Sequence, residues 1–248
     1  MVNKMAPDRR FYLQVSLVFY LCWIGCFISV GKYASTLPTR DLTFSLDRLI
    51  PLVPAFIWPY ELCYIFPFLP ILVLKDWHRF NRAILAVILA CLSAFVVYFL
   101  LPISFPRPKL GNSISDVILG LEYAADFYPG ANKLPSLHVA YAWIVYLVSR
   151  GQVTKKAHEL LILFLAALIT VSTVLVKQHI IIDSVAGVAW AFGAWWISGF
   201  LYPRLVDITS QPRFALRQML KKTVPVVAIY MTALFLAADL RWERLVKW

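Results

Sequence analysis

The chain has 248 residues, 61% of them hydrophobic and only 15% charged, with a formal net charge of +11. Soluble domains carry about a quarter charged residues, so this composition, with a mean hydropathy of +0.72, excludes an ordinary soluble protein and indicates a polytopic membrane protein. The excess of 24 Lys and Arg over 13 Asp and Glu suits basic loops that orient spans and meet anionic headgroups; with no compact basic domain, nucleic acid is not an expected partner.

A hydrocarbon core of about 30 Å needs roughly 20 apolar residues per helix. The first span is predicted over 11–31. Its apolar run exceeds that of a signal peptide and no convincing cleavage site follows, so it reads as a retained helix. Cys22 and Cys26 lie one turn apart inside it, and Cys63 and Cys91 also sit in apolar runs. Packing residues are expected there, not a disulfide framework or a zinc site. Further spans are predicted over 55–74, 83–104, 135–149, 159–177 and 180–201, the one at 135–149 being short. A seventh segment, "TVPVVAIYMTALFLAA" at 223–238, is also short and either crosses or lies in the interface. The expected fold class is all-α: a polytopic transmembrane bundle of about six core helices and this seventh, forming one domain over 1–248.

With the N-terminus inside, the cytoplasmic pieces are "MVNKMAPDRR", "KDWHRFNR", "RGQVTKKAHE" and "YPRLVDITSQPRFALRQMLKK", which hold 14 of the 24 basic residues. That bias sets the orientation. Segments 32–54, 105–134 and the turn at 177–180 then share the opposite side. Short loops without a glycosylation-prone ectodomain point to a bacterial inner membrane.

Those loops and the adjoining helix ends carry the chemistry. "LPISFPRPKLG" sets Arg107 between two prolines, with Lys109 beyond; prolines stop a helix and stiffen its exit. Read alone, it is a turn with snorkelling bases. In "GANKLPSLHVAYAW", Pro135 suits a first helical turn, followed by Ser136 and His138. A helix N-terminus offers free amides and a positive dipole end to an anion. In "STVLVKQHIIIDSVAG", His179 and Asp183 are four residues apart and share a helix face. The carboxylate can take a hydrogen bond from one ring nitrogen and leave the other as nucleophile or base. The alternative is a structural His–Asp pair, with Gly187 one turn on as a close-packing site. Two histidines and a carboxylate would also suit a metal, but the bases beside them favour a bound anion. Cations, a helix N-terminus and two imidazoles are the parts that phosphoryl transfer requires.

These residues resemble the type 2 phosphatidic acid phosphatase superfamily. Its three motifs are a Lys/Arg-Pro segment, Pro-Ser-Gly-His, and Ser-Arg followed by His-x3-Asp; here they stand as "FPRPKL", "PSLH" and "STVLVKQHIIID", over roughly 100–190. Leu137 replaces the motif Gly, Thr173 the motif Arg, and Leu100 the Lys seven residues before Arg107. The pattern is closest to the inositol phosphorylceramide synthase-like branch. The resemblance implies that His179 attacks phosphorus to form a phospho-histidine, Asp183 orients it, and His138 protonates the leaving oxygen. It implies phosphate ligation by Arg107, Lys177, Ser136 and, more weakly, Lys109, with no metal or organic cofactor. The substrate would be a lipid phosphate held in the bilayer. Water as acceptor makes a lipid phosphatase, and an alcohol makes a phosphotransferase. A non-catalytic transporter is the remaining class, disfavoured because mid-span ionisable residues are nearly absent outside the motifs.

Overall fold

The computed structural model describes residues 9–246, and over these the protein is all-α. The helices are α1 (Arg9–Ala34), α2 (Ser45–Leu49), α3 (Ile57–Ile65), α4 (Leu69–Val73), α5 (Trp77–Leu100), α6 (Ile114–Ala125), α7 (Leu137–Ser149), α8 (Lys156–Leu175), α9 (Ile181–Leu205) and α10 (Pro212–Val246). Six helical stretches are long and apolar enough to cross a bilayer, the second being Pro54–Val73 and the last Pro212–Ala237. The chain is therefore an integral membrane protein.

Local chemistry explains where the elements depart from the predicted spans. Pro59, Pro67 and Pro70 cannot donate amide hydrogens, and the second span is accordingly built from α3 and α4 joined by a 3-10 turn at Phe66–Phe68. "KDWHRFNR", expected as a loop, is mostly the opening of α5. Asp76 caps that helix by accepting from the amides of His78 and Arg79, so the helix starts six residues before the predicted 83. The seventh segment is the middle of a 35-residue helix rather than a short piece, because the residues before it continue the helix. Of the expected cytoplasmic piece 1–10, residues 1–8 lie outside the described residues, and Arg9 and Arg10 open α1.

α7 occupies the centre, packed against α5, α8 and α9. Nearly all its side chains are buried, including Leu137, Val139, Tyr141, Ile144 and Val148. At 13 residues it is about 20 Å long, less than a bilayer core, and it is sheathed by protein rather than lipid. At one end of the bundle Arg79 donates to the carbonyls of Leu147, Val148 and Arg150, a cation on the negative end of α7. At the other end the loops before α2, after α5 and before α7 are laced together by bridges from Arg40 to Ile103 and from Ile103 to Asn132. There α6 turns an apolar stripe of Ile114, Val117 and Leu121 outward.

Candidate active site

The site is built where α7 begins beside the turn from α8 to α9. Ser136 is the N-cap of α7, its hydroxyl accepting from the Val139 amide. Its own amide donates to the Asp183 carbonyl at 3.0 Å, and the Tyr98 hydroxyl donates to the Pro135 carbonyl at 2.8 Å. Those ties hold His138 in the first turn of the helix. Across from it, the Thr173 carbonyl accepts from the amides of Gln178 and His179. Asp183 then closes the start of α9, one carboxylate oxygen accepting from the Ile180 amide at 3.1 Å.

That same oxygen lies 3.3 Å from Nδ1 of His179. A carboxylate only accepts, so Nδ1 carries the hydrogen and Nε2 keeps a lone pair. Nε2 of His179 faces Nδ1 of His138 at 3.4 Å, and Nε2 of His138 lies 3.3 Å from the Tyr60 hydroxyl. His179 and Asp183 are buried. The result is a line from carboxylate through two imidazoles to a phenol. Gly187 makes the approach feasible: a Cβ there would meet the Ser136 carbonyl oxygen at 2.5 Å and Val139 Cβ at 2.9 Å.

A cationic cluster flanks this line. Arg107 donates to the Tyr123 carbonyl, to the Asp126 carboxylate and to Oε1 of Gln178. Lys133 donates to the same Asp126 oxygen at 2.6 Å and to Gln178 Oε1 at 3.2 Å. Burial alone would raise the Asp126 carboxyl, but Lys133 and Arg107 outweigh it and hold the group down at about 2. Burial lowers the Lys133 ammonium from its ordinary value, with Asp126 opposing the shift. A small cavity of about 10 Å³ joins the two parts, lined by Phe27, Tyr98, Asp126, Lys133, His138 and His179 among others.

Of the residues predicted from sequence, His138, His179 and Asp183 stand together, Ser136 caps the helix that carries His138, and Arg107 joins the flanking cluster. Lys177 is not brought to the cavity. It lies in the turn after α8 with φ +53°, and its ammonium donates to the carbonyls of Asp47 and Ile50 at 2.9 and 2.6 Å. Lys109 is exposed on the loop surface. Thr173, at the motif Arg position, bonds the Ser184 hydroxyl at 3.1 Å and brings no charge. Sequence reasoning missed Lys133, Asp126 and Tyr60. Lys133 had a signal, since it stands three residues before Ser136 at the mouth of the same helix; Asp126 lies in the same loop seven residues earlier, and Tyr60 comes from a distant segment.

Comparison with known families matches residues 50–197 to the PAP2 superfamily. No curated protein and no solved structure matches the chain. Because the match covers more than half the chain and takes in His138, His179, Asp183 and the flanking cationic cluster, this integral membrane protein belongs to the PAP2 superfamily, whose chemistry is of the phosphatase type.

Proposed function

We propose that the protein is a membrane lipid phosphatase that cleaves a phosphate monoester or diphosphate through a phospho-histidine. The line Asp183–His179–His138 carries this reading. A phosphoryl group entering between the two rings would meet the His179 Nε2 lone pair. A nitrogen–phosphorus bond forms there as the bond to the lipid oxygen breaks, and His138 gives that oxygen its proton. His138 then takes a proton from water, whose oxygen displaces His179 and releases inorganic phosphate. Ser136 positions His138, and the amides at the start of α7 favour the anion. An apolar cavity of about 100 Å³ reaches His138 between α1, α3, α4, α5 and α7, lined by Phe19, Tyr20, Trp23, Tyr64, Tyr141 and Ile144 among others; it supports a substrate with a hydrocarbon chain.

Purified protein assayed on a panel of lipid phosphates should release inorganic phosphate, and His179→Ala should lose at least about 10³-fold in kcat. Release by the variant at the wild-type rate would remove the phospho-histidine step. With a labelled lipid phosphate and added alcohols, label appearing in a new ester instead of phosphate would make the protein the phosphotransferase.

A further inference from the structure

Resting on that reading of the site, we propose that Lys133 and Gln178 form the inner phosphate-binding cradle, with Arg107 at its outer edge. All three groups are donors that share one neighbourhood. Lys133 and Gln178 line the cavity between His138 and His179, and they are only 3% and 2% exposed. A lysine ammonium has three hydrogens, of which two are directed at Asp126 and Gln178.

Gln178 is the sharper clue. Both Arg107 and Lys133 donate to its Oε1, at 3.1 and 3.2 Å. Two cations on one amide oxygen settle which way the amide faces, so its other end is an NH2 group. That nitrogen is buried with no hydrogen-bond acceptor among the described residues. A buried donor without a partner costs about 1–3 kcal/mol, so one that faces a cavity at a reactive site calls for an acceptor from outside the chain. Here the missing acceptor sits among two cations and two imidazoles, so its chemistry is anionic and oxygen-rich. A tetrahedral phosphate offers an oxygen to each donor.

Asp126 explains how two cations persist without one. Its carboxylate oxygen joins Arg107 and Lys133, which sets two basic side chains against one carboxylate and keeps Lys133 aimed. The cavity of about 10 Å³ holds about one water. A phosphate therefore enters by moving a side chain, and the resident anion is the group it replaces on Lys133.

The test uses full-length protein in detergent, with inorganic phosphate as the probe and Tm as the readout, beside rates on micellar phosphatidic acid. Phosphate should raise the wild-type Tm. Lys133→Met should weaken phosphate at least 10-fold and raise KM similarly, Lys133→Arg should recover most of the affinity, and Gln178→Leu should weaken it several-fold. If Lys133→Met does not fold, the Lys133→Arg and Gln178→Leu titrations decide. Wild-type phosphate affinity in both Lys133→Met and Gln178→Leu would overturn the cradle while leaving the phosphatase intact. Loss of phosphate binding in Lys177→Met but not in Lys133→Met would overturn it too. A wild-type protein that neither binds phosphate nor cleaves any lipid phosphate would instead remove the function on which the cradle rests.

Discussion

The nucleophile proposed here, His179, is oriented by Asp183 rather than by its own place in the chain. The carboxylate oxygen 3.3 Å away selects the tautomer that leaves Nε2 free, and the same oxygen binds the Ile180 amide. Asp183→Asn should therefore keep the fold but lower kcat by up to about 10⁴-fold, the loss that follows when the orienting carboxylate of a Ser-His-Asp triad becomes an amide; single-turnover kinetics on the purified variant checks it. Asp126 has the opposite role, holding charge rather than orientation. Asp126→Asn leaves Lys133 buried opposite a neutral group, and breaking a buried pair costs about 3–5 kcal/mol. Thermal unfolding in detergent should show that loss. Since Lys133 and Arg107 hold the Asp126 carboxyl at about 2, its contribution is present above its unfolded value near pH 4 and lost as pH falls towards 2.

Among the helices, α7 is central and short, and its first turn depends on how closely α9 approaches. In Gly187→Ala the new methyl would collide with the Ser136 carbonyl at 2.5 Å, which is backbone and cannot swing aside. A cost of about 1–3 kcal/mol is expected, with kcat falling more than KM rises because His138 shifts against His179. α6 is tied to α3 by the Tyr64 hydroxyl donating to Glu122 at 2.9 Å. Burial, and then the neighbouring Glu61 carboxylate, raise the Glu122 carboxyl to about 7. The folded state then holds a proton that the unfolded state releases near pH 4.3. Stability is fullest below that pH and falls as pH rises through 7. Allowing for partial exposure, the loss is about 1–2 kcal/mol. The drop in Tm between pH 5 and pH 8 should be smaller in Glu122→Gln.

The two ends of the bundle differ in charge and in chemistry. Arg79, Arg150, Lys155, Lys156, Arg204 and Lys222 belong to the end opposite the site, and by the positive-inside rule that end is proposed as cytoplasmic. Reporter fusions at residues 78, 155 and 215 should report cytoplasm, and fusions within 110–130 the opposite side; a cytoplasmic signal from 110–130 would reverse the orientation. The site then opens at the outer leaflet, where the exposed stripe of α6 has the spacing of an interfacial helix.

Much of this was legible in the sequence because hydrocarbon imposes simple rules. Long apolar runs have to be helices, since no water is there to bond the backbone, and His179 and Asp183 meet through a spacing that any helix start enforces. His138 was legible for a similar reason, sitting just past a proline and a cap. Helix ends were not, because Asp76 and the prolines of the second span act through local bonds that hydropathy does not register. Arg107 apart, the make-up of the cationic cluster was decided by tertiary structure. Its own left-handed backbone aims Lys177 at the carbonyls of α2 and its C-cap, while Asp126 and Gln178, 52 positions apart, converge on Lys133. Where a long flexible cation ends is set by the buried acceptors around it, and those come from segments that only the folded chain brings together.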